Sequence, residues 1–289
     1  MSWRTVVITK PSKLSYKNNF MTIRNETFNT IHISEIGTLV METTQVSITA
    51  YLLSELMKQK VKVIFCDEKH NPSSELVSYY GSHNTSKRIA NQIKWTAESK
   101  QLLWSKIVCC KIMNQARLLD KYGLPEAEML YEYAKQIRIG DTSNREGHAA
   151  KVYFNALFGK SFSRDCYNNI NAILDYGYTI LLSAFNREIT AMGYMTQIGI
   201  MHRNEFNHFN LSSDLMEPFR PIVDEFAYNN LAEVFSQELK LDIVNLLNKK
   251  TIIGGKEHFL ANAIRLCVNN TLVLLDNMEF DDLCLFEFK

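Results

Sequence analysis

The sequence predicts an α+β protein in which a small β-rich N-terminal domain is followed by a larger all-α C-terminal catalytic domain. Short β-branched and alternating runs fill the first eighty residues, whereas after Gly81 apolar residues recur at helical spacing. The 289 residues are 46% hydrophobic with only 5 Pro and 11 Gly, which indicates a folded chain without a disordered linker. We place the domains at residues 1–80 and 81–289, with the boundary near residues 72–84.

The N-terminal domain is predicted to hold six short strands and one helix. The segments 13–16 and Phe20–Arg24 flank Lys17, Asn18 and Asn19, which indicates a hairpin. Leucines and isoleucines at helical spacing predict a helix over 46–57, for which Thr44 could provide the cap. The other strands are expected at residues 3–9, 30–33, 38–41 and 61–66.

The C-terminal domain is predicted to be helical. One long amphipathic helix is expected over 86–121, where it ends before Gly123 and Pro125. A short helix follows at 127–137, and the next, which carries Glu146, could be capped at Asp141 or Thr142. Three further helices are expected at residues 170–192, 225–247 and 259–275.

Charge and cysteine patterns limit the possible functions. Residues 84–121 contain eight basic side chains and two acidic ones although the net charge is only +1, which is compatible with a nucleic-acid surface or with a solvated helix face. The six cysteines form no C-x-x-C pair, so free thiols in a reducing compartment are expected. Apolar runs are too short to cross a membrane and the N-terminus does not resemble a signal peptide, which predicts a cytoplasmic protein.

An acidic turn is the strongest chemical signal. Asp214 and Glu217 lie three residues apart, so on a helical turn their carboxylates point the same way and can share a metal ion. Arg220 could instead neutralise one of them in a surface ladder of ion pairs. Pro218 and Pro221 argue against an ordinary ladder, because each removes a backbone donor within the turn. The turn is therefore a candidate site.

A histidine and a third acid are candidates to complete this site. His202 follows Gly199 and precedes the acidic turn, with His208 as its rival, and Glu146 stands near a helix start. Oxygen and imidazole ligands from separate segments suit a divalent ion such as Mn²⁺. The sequence contains no H-E-x-x-H, phosphate-loop, G-x-G-x-x-G or G-x-S-x-G motif.

These motifs together resemble the metal-dependent DNA endonuclease and integrase family that acquires spacers in CRISPR–Cas immunity, the first and most widespread of the Cas proteins. The resemblance covers most of the chain. It rests on the stretches 146–153, 171–178 and 199–202 and above all on 214–221, whose spelling is most like the type II branch.

The resemblance implies an N-terminal domain for dimerisation and Mg²⁺ or Mn²⁺ as cofactor. It assigns Glu146, His202 and Glu217 as catalytic metal ligands, with Asp214 as an additional ligand or a supporting acid. It implies insertion of short DNA fragments into the CRISPR array by attack of a 3′-hydroxyl on a phosphodiester. The expected partners are a second copy of the chain, a dimer of a small second adaptation protein and double-stranded DNA. For DNA contacts, basic residues of the 84–121 stretch and of the acidic turn are candidates, namely Lys87, Arg88, Lys94 and Arg220.

Two other functions stay open from the residues alone. A catalytically silent DNA-binding scaffold would keep the fold and its basic surface but would not need Glu146 or Glu217. A metal-dependent phosphoesterase on RNA or small nucleotides would need a compact pocket with aromatic side chains for base stacking.

Overall fold

The computed structural model of this chain describes residues 4–78, 82, 84–231 and 234–288. The chain divides into two compact units, Met1–His83 and Asn84–Lys289. The predicted fold class is confirmed, since a β-sheet region precedes a mostly helical one. Among the described residues, no helix is both long enough and apolar enough to cross a membrane.

Two four-stranded sheets form the N-terminal unit. In the first sheet, β1, β5 and β7 are parallel and β8 is antiparallel to β7; in the second, β4, β3 and β2 are antiparallel and β6 runs parallel to β2. The predicted hairpin is confirmed, because Asn18 and Asn19 join β2 to β3 with positive φ angles. The strands are β1 (Arg4–Ile8), β2 (Ser12–Lys17), β3 (Phe20–Arg24), β4 (Phe28–His32), β5 (Ile36–Met41), β6 (Val46–Ile48), β7 (Lys62–Cys66) and β8 (Pro72–Leu76).

The helix of this unit starts later than predicted. It spans Ala50–Lys58 (α1), and the preceding residues Val46–Ile48 are a strand, because their alternating β-branched side chains pair with β2. Thr49, not Thr44, caps the helix by accepting a hydrogen bond from the Leu52 amide at 3.3 Å. The core of the unit consists of fully buried side chains from both sheets and α1, among them Leu14, Met21, Ile36, Leu39, Leu52, Leu56 and Val63.

The C-terminal unit is built around α3, which contacts α4, α5, α7 and α8. A β-hairpin of β9 and β10, not predicted from the sequence, turns at Gly254 and Gly255, both with positive φ. The elements are α2 (Thr85–Ile93), α3 (Ala97–Lys121), α4 (Glu126–Lys135), α5 (Arg145–Phe158), α6 (Asn169–Ala191), α7 (Asn210–Met216), α8 (Arg220–Asn229), α9 (Gln237–Asn245), β9 (Lys250–Ile253), β10 (Lys256–Phe259) and α10 (Leu260–Asn277).

The single helix predicted over 86–121 is wrong, because the chain breaks between α2 and α3. The Trp95 indole is buried at this break and donates a hydrogen bond to Asp276 of α10 at 3.0 Å. Thr96 then begins a new helix by accepting a hydrogen bond from the Ser99 amide at 3.2 Å. A contact distant in sequence thus overrides a continuous helical pattern.

The single helix predicted over 225–247 is also wrong, since α8 ends at Asn229 and α9 starts at Gln237. The Asn230 side chain donates to the Phe226 carbonyl at 2.7 Å, which satisfies a free helix-end acceptor. Ser236 caps α9 by accepting a hydrogen bond from the Leu239 amide at 3.2 Å. Asparagine and serine at these positions favour an end and a start over a continuous helix.

Gly177 allows α6 and α8 to approach closely. A Cβ atom at Gly177 would lie 2.4 Å from Cγ1 of Val223, which is closer than real contacts allow. The close approach brings the segment that carries the predicted acidic turn against α6 and α3.

Candidate metal centre

Two carboxylates converge on one buried ammonium group. The Nζ atom of Lys111, on α3, lies 2.6 Å from Oε1 of Glu146 and 2.5 Å from Oε2 of Glu217. Burial favours the neutral amine, but Glu217 and Glu146 raise the pKa of Lys111 overall. Two of the predicted ligands are therefore close together around a single positive charge.

Glu146 is held in the first turn of α5. Asn144 caps the helix by accepting a hydrogen bond from the Gly147 amide at 3.3 Å, so the cap predicted at Asp141 or Thr142 is wrong. The Asp141 carboxylate nevertheless reaches this end and accepts the amides of Arg145 and Glu146 at 2.9 Å each. The exposed amides of the first turn are thereby satisfied, which fixes the backbone of Glu146.

Glu217 opens a 3-10 turn, Glu217–Phe219, between α7 and α8. Its Oε1 lies 2.9 Å from Nε of Arg220, whose guanidinium lies 4.5 Å from the centre of the Tyr178 ring. Although burial favours the neutral acid, Arg220 and Lys111 lower the pKa of Glu217 to about 2. Arg220, predicted as a DNA contact, is thus mostly buried and paired with Glu217.

Asp214 organises the loop before it. Its Oδ2 accepts the amides of Ile200 at 2.5 Å and Met201 at 3.1 Å, and its Oδ1 accepts the His202 amide at 3.0 Å. A Cβ atom at Gly199 would lie 2.5 Å from the His202 carbonyl oxygen and 2.8 Å from Oδ2 of Asp214. The glycine three residues before the histidine is therefore required by this tight loop.

The same carboxylate orients the His202 ring. Nδ1 of His202 lies 2.6 Å from Oδ1 of Asp214, and the Trp104 ring packs edge-on against the imidazole. The hydrogen bond with Asp214 raises the pKa of His202 against the effect of burial, with smaller contributions from Glu217 and Glu146. Nδ1 donating to a carboxylate leaves the Nε2 lone pair of a neutral imidazole for a ligand. The rival His208 is exposed.

Two tyrosines, from the stretches 146–153 and 171–178, form hydrogen bonds with a buried acid close to this region. The Tyr153 hydroxyl donates to Oδ2 of Asp224 at 2.8 Å, and the Tyr178 hydroxyl donates to Oδ1. Burial raises the pKa of Asp224 to about 6, against the opposing effect of these two hydrogen bonds. Because the Tyr178 ring also packs against Arg220, the motif tyrosines connect a buried acid to the partner of Glu217.

Asn114 links the turn to a segment near the end of the chain. Its side-chain amide donates to the carbonyls of Pro218 at 2.8 Å and Phe286 at 2.9 Å, and its oxygen accepts the Phe288 amide at 2.9 Å. The Phe286 ring stacks on Phe219 with 4.7 Å between ring centres. The turn is therefore packed from both sides.

The other predicted DNA contacts lie on and after α2. Lys87 and Lys94 are exposed. The guanidinium of Arg88 lies 2.9 Å from Asp276 and donates to the Tyr194 hydroxyl at 3.1 Å. These contacts within the protein partly occupy the group that was predicted to contact DNA.

A cleft of about 390 Å³ opens beside His202. It is lined by the basic Lys100 and Arg203, the acidic Glu205, His208 and residues of the loop that precedes α7. The Lys100 ammonium donates to the Gly199 carbonyl at 3.1 Å, which fixes this side chain to the loop before His202. The cleft is therefore a place where an anionic group can approach the imidazole.

The donor set fits an oxygen-preferring divalent ion that also accepts nitrogen. Two carboxylates converge on one cationic point, and an imidazole is oriented through Nδ1 as metal-binding histidines are. In the part of the chain that the structure describes, however, no three His, Cys, Asp or Glu side chains are gathered around one point. Lys111 takes the position between the two glutamates.

Sequence reasoning counted Lys111 only as one basic residue of the 84–121 stretch. Its position nevertheless indicated burial, because Lys111 stands at helical spacing from the apolar residues Ile107, Val108 and Leu118. The structure shows that all three are buried. A lysine on the buried face of a helix needs an acidic partner, since an unpaired charge is costly to bury.

Comparisons with known proteins identify the family and the fold. A family model described as CRISPR associated protein Cas1 matches residues 5–237. A CRISPR-associated endonuclease Cas1 of Neisseria meningitidis is 37% identical over 226 residues, covering 78% of this chain and 74% of that protein. Another, from Francisella tularensis subsp. novicida, is 25% identical over 264 residues, covering 81% and 83%.

Solved structures share the fold. A casposase bound to its integration product superposes with a TM-score of 0.72 at 18% identity, covering 96% of this chain and 92% of that one. A chain of a Cas6-RT-Cas1–Cas2 complex gives a TM-score of 0.73 at 18% identity; 97% of this chain is covered, but only 36% of that longer chain. From the family model and the relative at 37% identity, we conclude that this chain belongs to the Cas1 family of CRISPR-associated proteins.

Proposed function

We propose that this protein is a metal-dependent DNA endonuclease and integrase of CRISPR adaptation, which inserts short foreign DNA fragments into the CRISPR array. The observation that carries the proposal is the convergence of Glu146 and Glu217 on one buried cation, close to an imidazole oriented by Asp214. Curated relatives are named CRISPR-associated endonucleases, and a structural neighbour is a casposase with its integration product.

Mg²⁺ or Mn²⁺ is the proposed cofactor, held by Glu146, His202 and Glu217. When bound, such an ion polarises the phosphodiester and stabilises the charge that develops in phosphoryl transfer. We assign Asp214 a supporting role rather than a ligand role, because both of its oxygens accept hydrogen bonds from the loop of His202.

The chain's own residues orient the substrate and handle protons. Lys100 and Arg203 line the cleft beside His202 and are suited to bind DNA phosphates there. The 3′-hydroxyl of the fragment is the proposed nucleophile in integration, and water takes its place in hydrolysis, so the reaction needs no serine or cysteine. His202 Nε2 is the atom that could accept or return a proton when it is not bound to the ion.

The proposed working unit is a homodimer that joins a dimer of the small Cas2 protein on double-stranded DNA in the cytoplasm. Structural neighbours are titled as Cas1–Cas2 complexes, which supports the choice of partner. The nearly neutral charge of the chain fits a DNA surface assembled from several subunits.

The decisive experiment is strand transfer with the full chain and its Cas2 partner. A duplex with 3′-hydroxyl ends and a supercoiled plasmid with a CRISPR repeat are incubated with Mn²⁺ or with EDTA. We expect joining in Mn²⁺ only, and its loss in Glu146→Gln. Glu225→Gln is the matched control, since this glutamate is also paired with lysines but lies outside the proposed site.

Three outcomes would overturn the proposal. If Glu146→Gln still joins the DNA and the control is unchanged, the proposed metal site is wrong. DNA binding without any joining or cleavage by the wild type would favour the catalytically silent scaffold. Cleavage of RNA or small nucleotides alone would favour the phosphoesterase alternative.

A further inference from the structure

Four charged groups in ion-pair contact around Lys111 and Glu217 balance one another. Glu146 and Glu217 carry two negative charges, and Lys111 and Arg220 carry two positive charges within ion-pair distance of them. Glu217 has a cation on each of its two oxygens, with Arg220 at Oε1 and Lys111 at Oε2. The two carboxylates therefore already have partners without a metal ion.

Water contributes little to this balance. The side chains of Lys111 and Glu217 are only 11% and 4% exposed, and those of Arg220 and Glu146 are 24% and 27% exposed. An added divalent ion would bring two further positive charges to these four groups, which solvent screens weakly, and the Asp214 carboxylate that contacts His202 offsets only one of them. A new anion, or the departure of a cation, has to accompany the ion.

We propose that Lys111 is a resident cation that couples divalent-metal binding to the arrival of a DNA phosphate. This inference rests on the proposed function. Without DNA, the ammonium of Lys111 competes with the metal for Glu146 and Glu217. A phosphodiester offsets the excess charge and offers Lys111 an anionic oxygen in place of the carboxylates.

The side chains around the site favour Lys111 over Arg220 as the group that yields. Lys111 is held through a single nitrogen on a flexible stem, whereas Arg220 also packs on the Tyr178 ring. The cleft beside His202, which Lys100 and Arg203 line, offers positive charge to a phosphate next to the imidazole. A lysine that only braced the fold would confer stability but no dependence of metal affinity on DNA.

The test is a titration with Mn²⁺ alone, followed by electron paramagnetic resonance. It uses the full chain, with and without a duplex whose 3′ ends are dideoxy so that no chemistry occurs. For the wild type, we expect DNA to tighten Mn²⁺ binding by about tenfold or more. By linkage, Mn²⁺ then tightens DNA binding by the same factor.

Lys111→Met is expected to bind Mn²⁺ about tenfold more tightly than the wild type without DNA, and to lose most of the dependence on DNA. Lys121→Met is the matched control on the same helix, because it removes a lysine paired with Glu225 and should leave both Mn²⁺ affinities unchanged. Circular dichroism of each variant reports whether the fold is kept. If Lys111→Met does not fold, Lys111→Gln, which also lacks the charge, replaces it in the same titration.

The outcomes separate this inference from the proposed function. Equal Mn²⁺ affinity of the wild type with and without DNA would overturn the role of Lys111, provided that Glu217→Gln still abolishes Mn²⁺ binding. Weaker Mn²⁺ binding by folded Lys111→Met would overturn it too. If Glu146→Gln and Glu217→Gln both bind Mn²⁺ like the wild type, the metal centre itself is wrong and the proposed function fails with it.

Discussion

Two lysines of α3, ten residues apart, bind acidic side chains in very different surroundings. Lys111 is nearly buried between Glu146 and Glu217, which come from two different segments. Lys121 is 44% exposed and shares Glu225 with Lys249, which is 46% exposed. The first cluster contains two acids and the second contains one.

The comparison shows that the two clusters differ in burial rather than in residue type. Around Glu225, water screens both lysines, so each ion pair is worth no more than about 1 kcal/mol. Around Lys111 there is little water to compensate a change of charge, so the arrival of any further ion affects every member of the cluster. The presence of lysine–glutamate pairs alone does not distinguish the Lys111 cluster from the Glu225 cluster.

The largest expected effect comes from removing the acid that supports His202. Asp214→Asn loses the charge that holds the Nδ1 proton and weakens the acceptors of three loop amides. We expect strand transfer and Mn²⁺ affinity to fall by about 10–100-fold, the range for partners of metal-binding histidines. The measurements are strand transfer, Mn²⁺ titration and the histidine tautomer by nitrogen NMR. Wild-type values with Asp214→Asn would exclude the supporting role.

The next largest effect is on the pH dependence of stability, which should be opposite for the sequence neighbours Asp224 and Glu225. Burial raises the folded pKa of Asp224 from 3.8 to about 6, so its ionisation is unfavourable in the folded state and wild-type stability is lost as pH rises through this interval. Asp224→Asn lacks this titration, so its stability relative to the wild type should increase by about 3 kcal/mol between pH 3.5 and pH 7. Urea unfolding across this range measures the difference.

Glu225 should behave in the opposite way. Burial raises its pKa, but Lys121 and Lys249 lower it overall, so the stability it contributes is present at neutral pH and is lost as pH falls through its titration. Glu225→Gln should therefore lose about 1 kcal/mol at pH 7 and less at acidic pH, with strand transfer within twofold of the wild type. A large loss of activity in this variant would contradict the assignment of Glu225 to a structural role outside the proposed site.

The smallest effect tests the start of α3, which carries both clusters. Thr96→Ala removes the side chain that accepts the Ser99 amide and should lower the free energy of unfolding by about 0.5–1 kcal/mol. Thr49→Ala, at the cap of α1 in the other unit, is the matched control for a cap without a neighbouring site. If Mn²⁺ affinity falls in Thr96→Ala but not in Thr49→Ala, the start of α3 at Thr96 helps to position the proposed site.

The sequence predicted what depends on local pattern. The β-rich first unit, the hairpin at Asn18 and Asn19, and the helical second unit follow from alternation, turn residues and periodicity. The break at Trp95 was not predicted, because it depends on a hydrogen bond to Asp276, 181 residues away. The late start of α1 was missed because Val46–Ile48 fits a helix pattern until it is paired with β2.

The site was predicted as a set of residue types, but its arrangement was not. Spacing predicted that the carboxylates of Asp214 and Glu217 point the same way and can share a metal ion, whereas in the structure each has its own partner. Asp214 faces the His202 loop, whereas Glu217 faces Lys111 and Arg220. The position of Lys111 between two acids depends on α3, α5 and the 217–219 turn meeting in space, which no single segment encodes.

The hydrogen bonds of Asn114 have a consequence for the order of events during synthesis. Two of its partners, Phe286 and Phe288, follow it by 172 and 174 residues, and Phe286 also stacks on the turn that begins with Glu217. A chain still being translated therefore lacks part of the packing around that turn until residues 286–288 have left the ribosome. Chains that stop before residues 286–288 would accordingly carry Glu146 and Glu217 without this packing, which delays assembly of the proposed metal centre until that segment is in place.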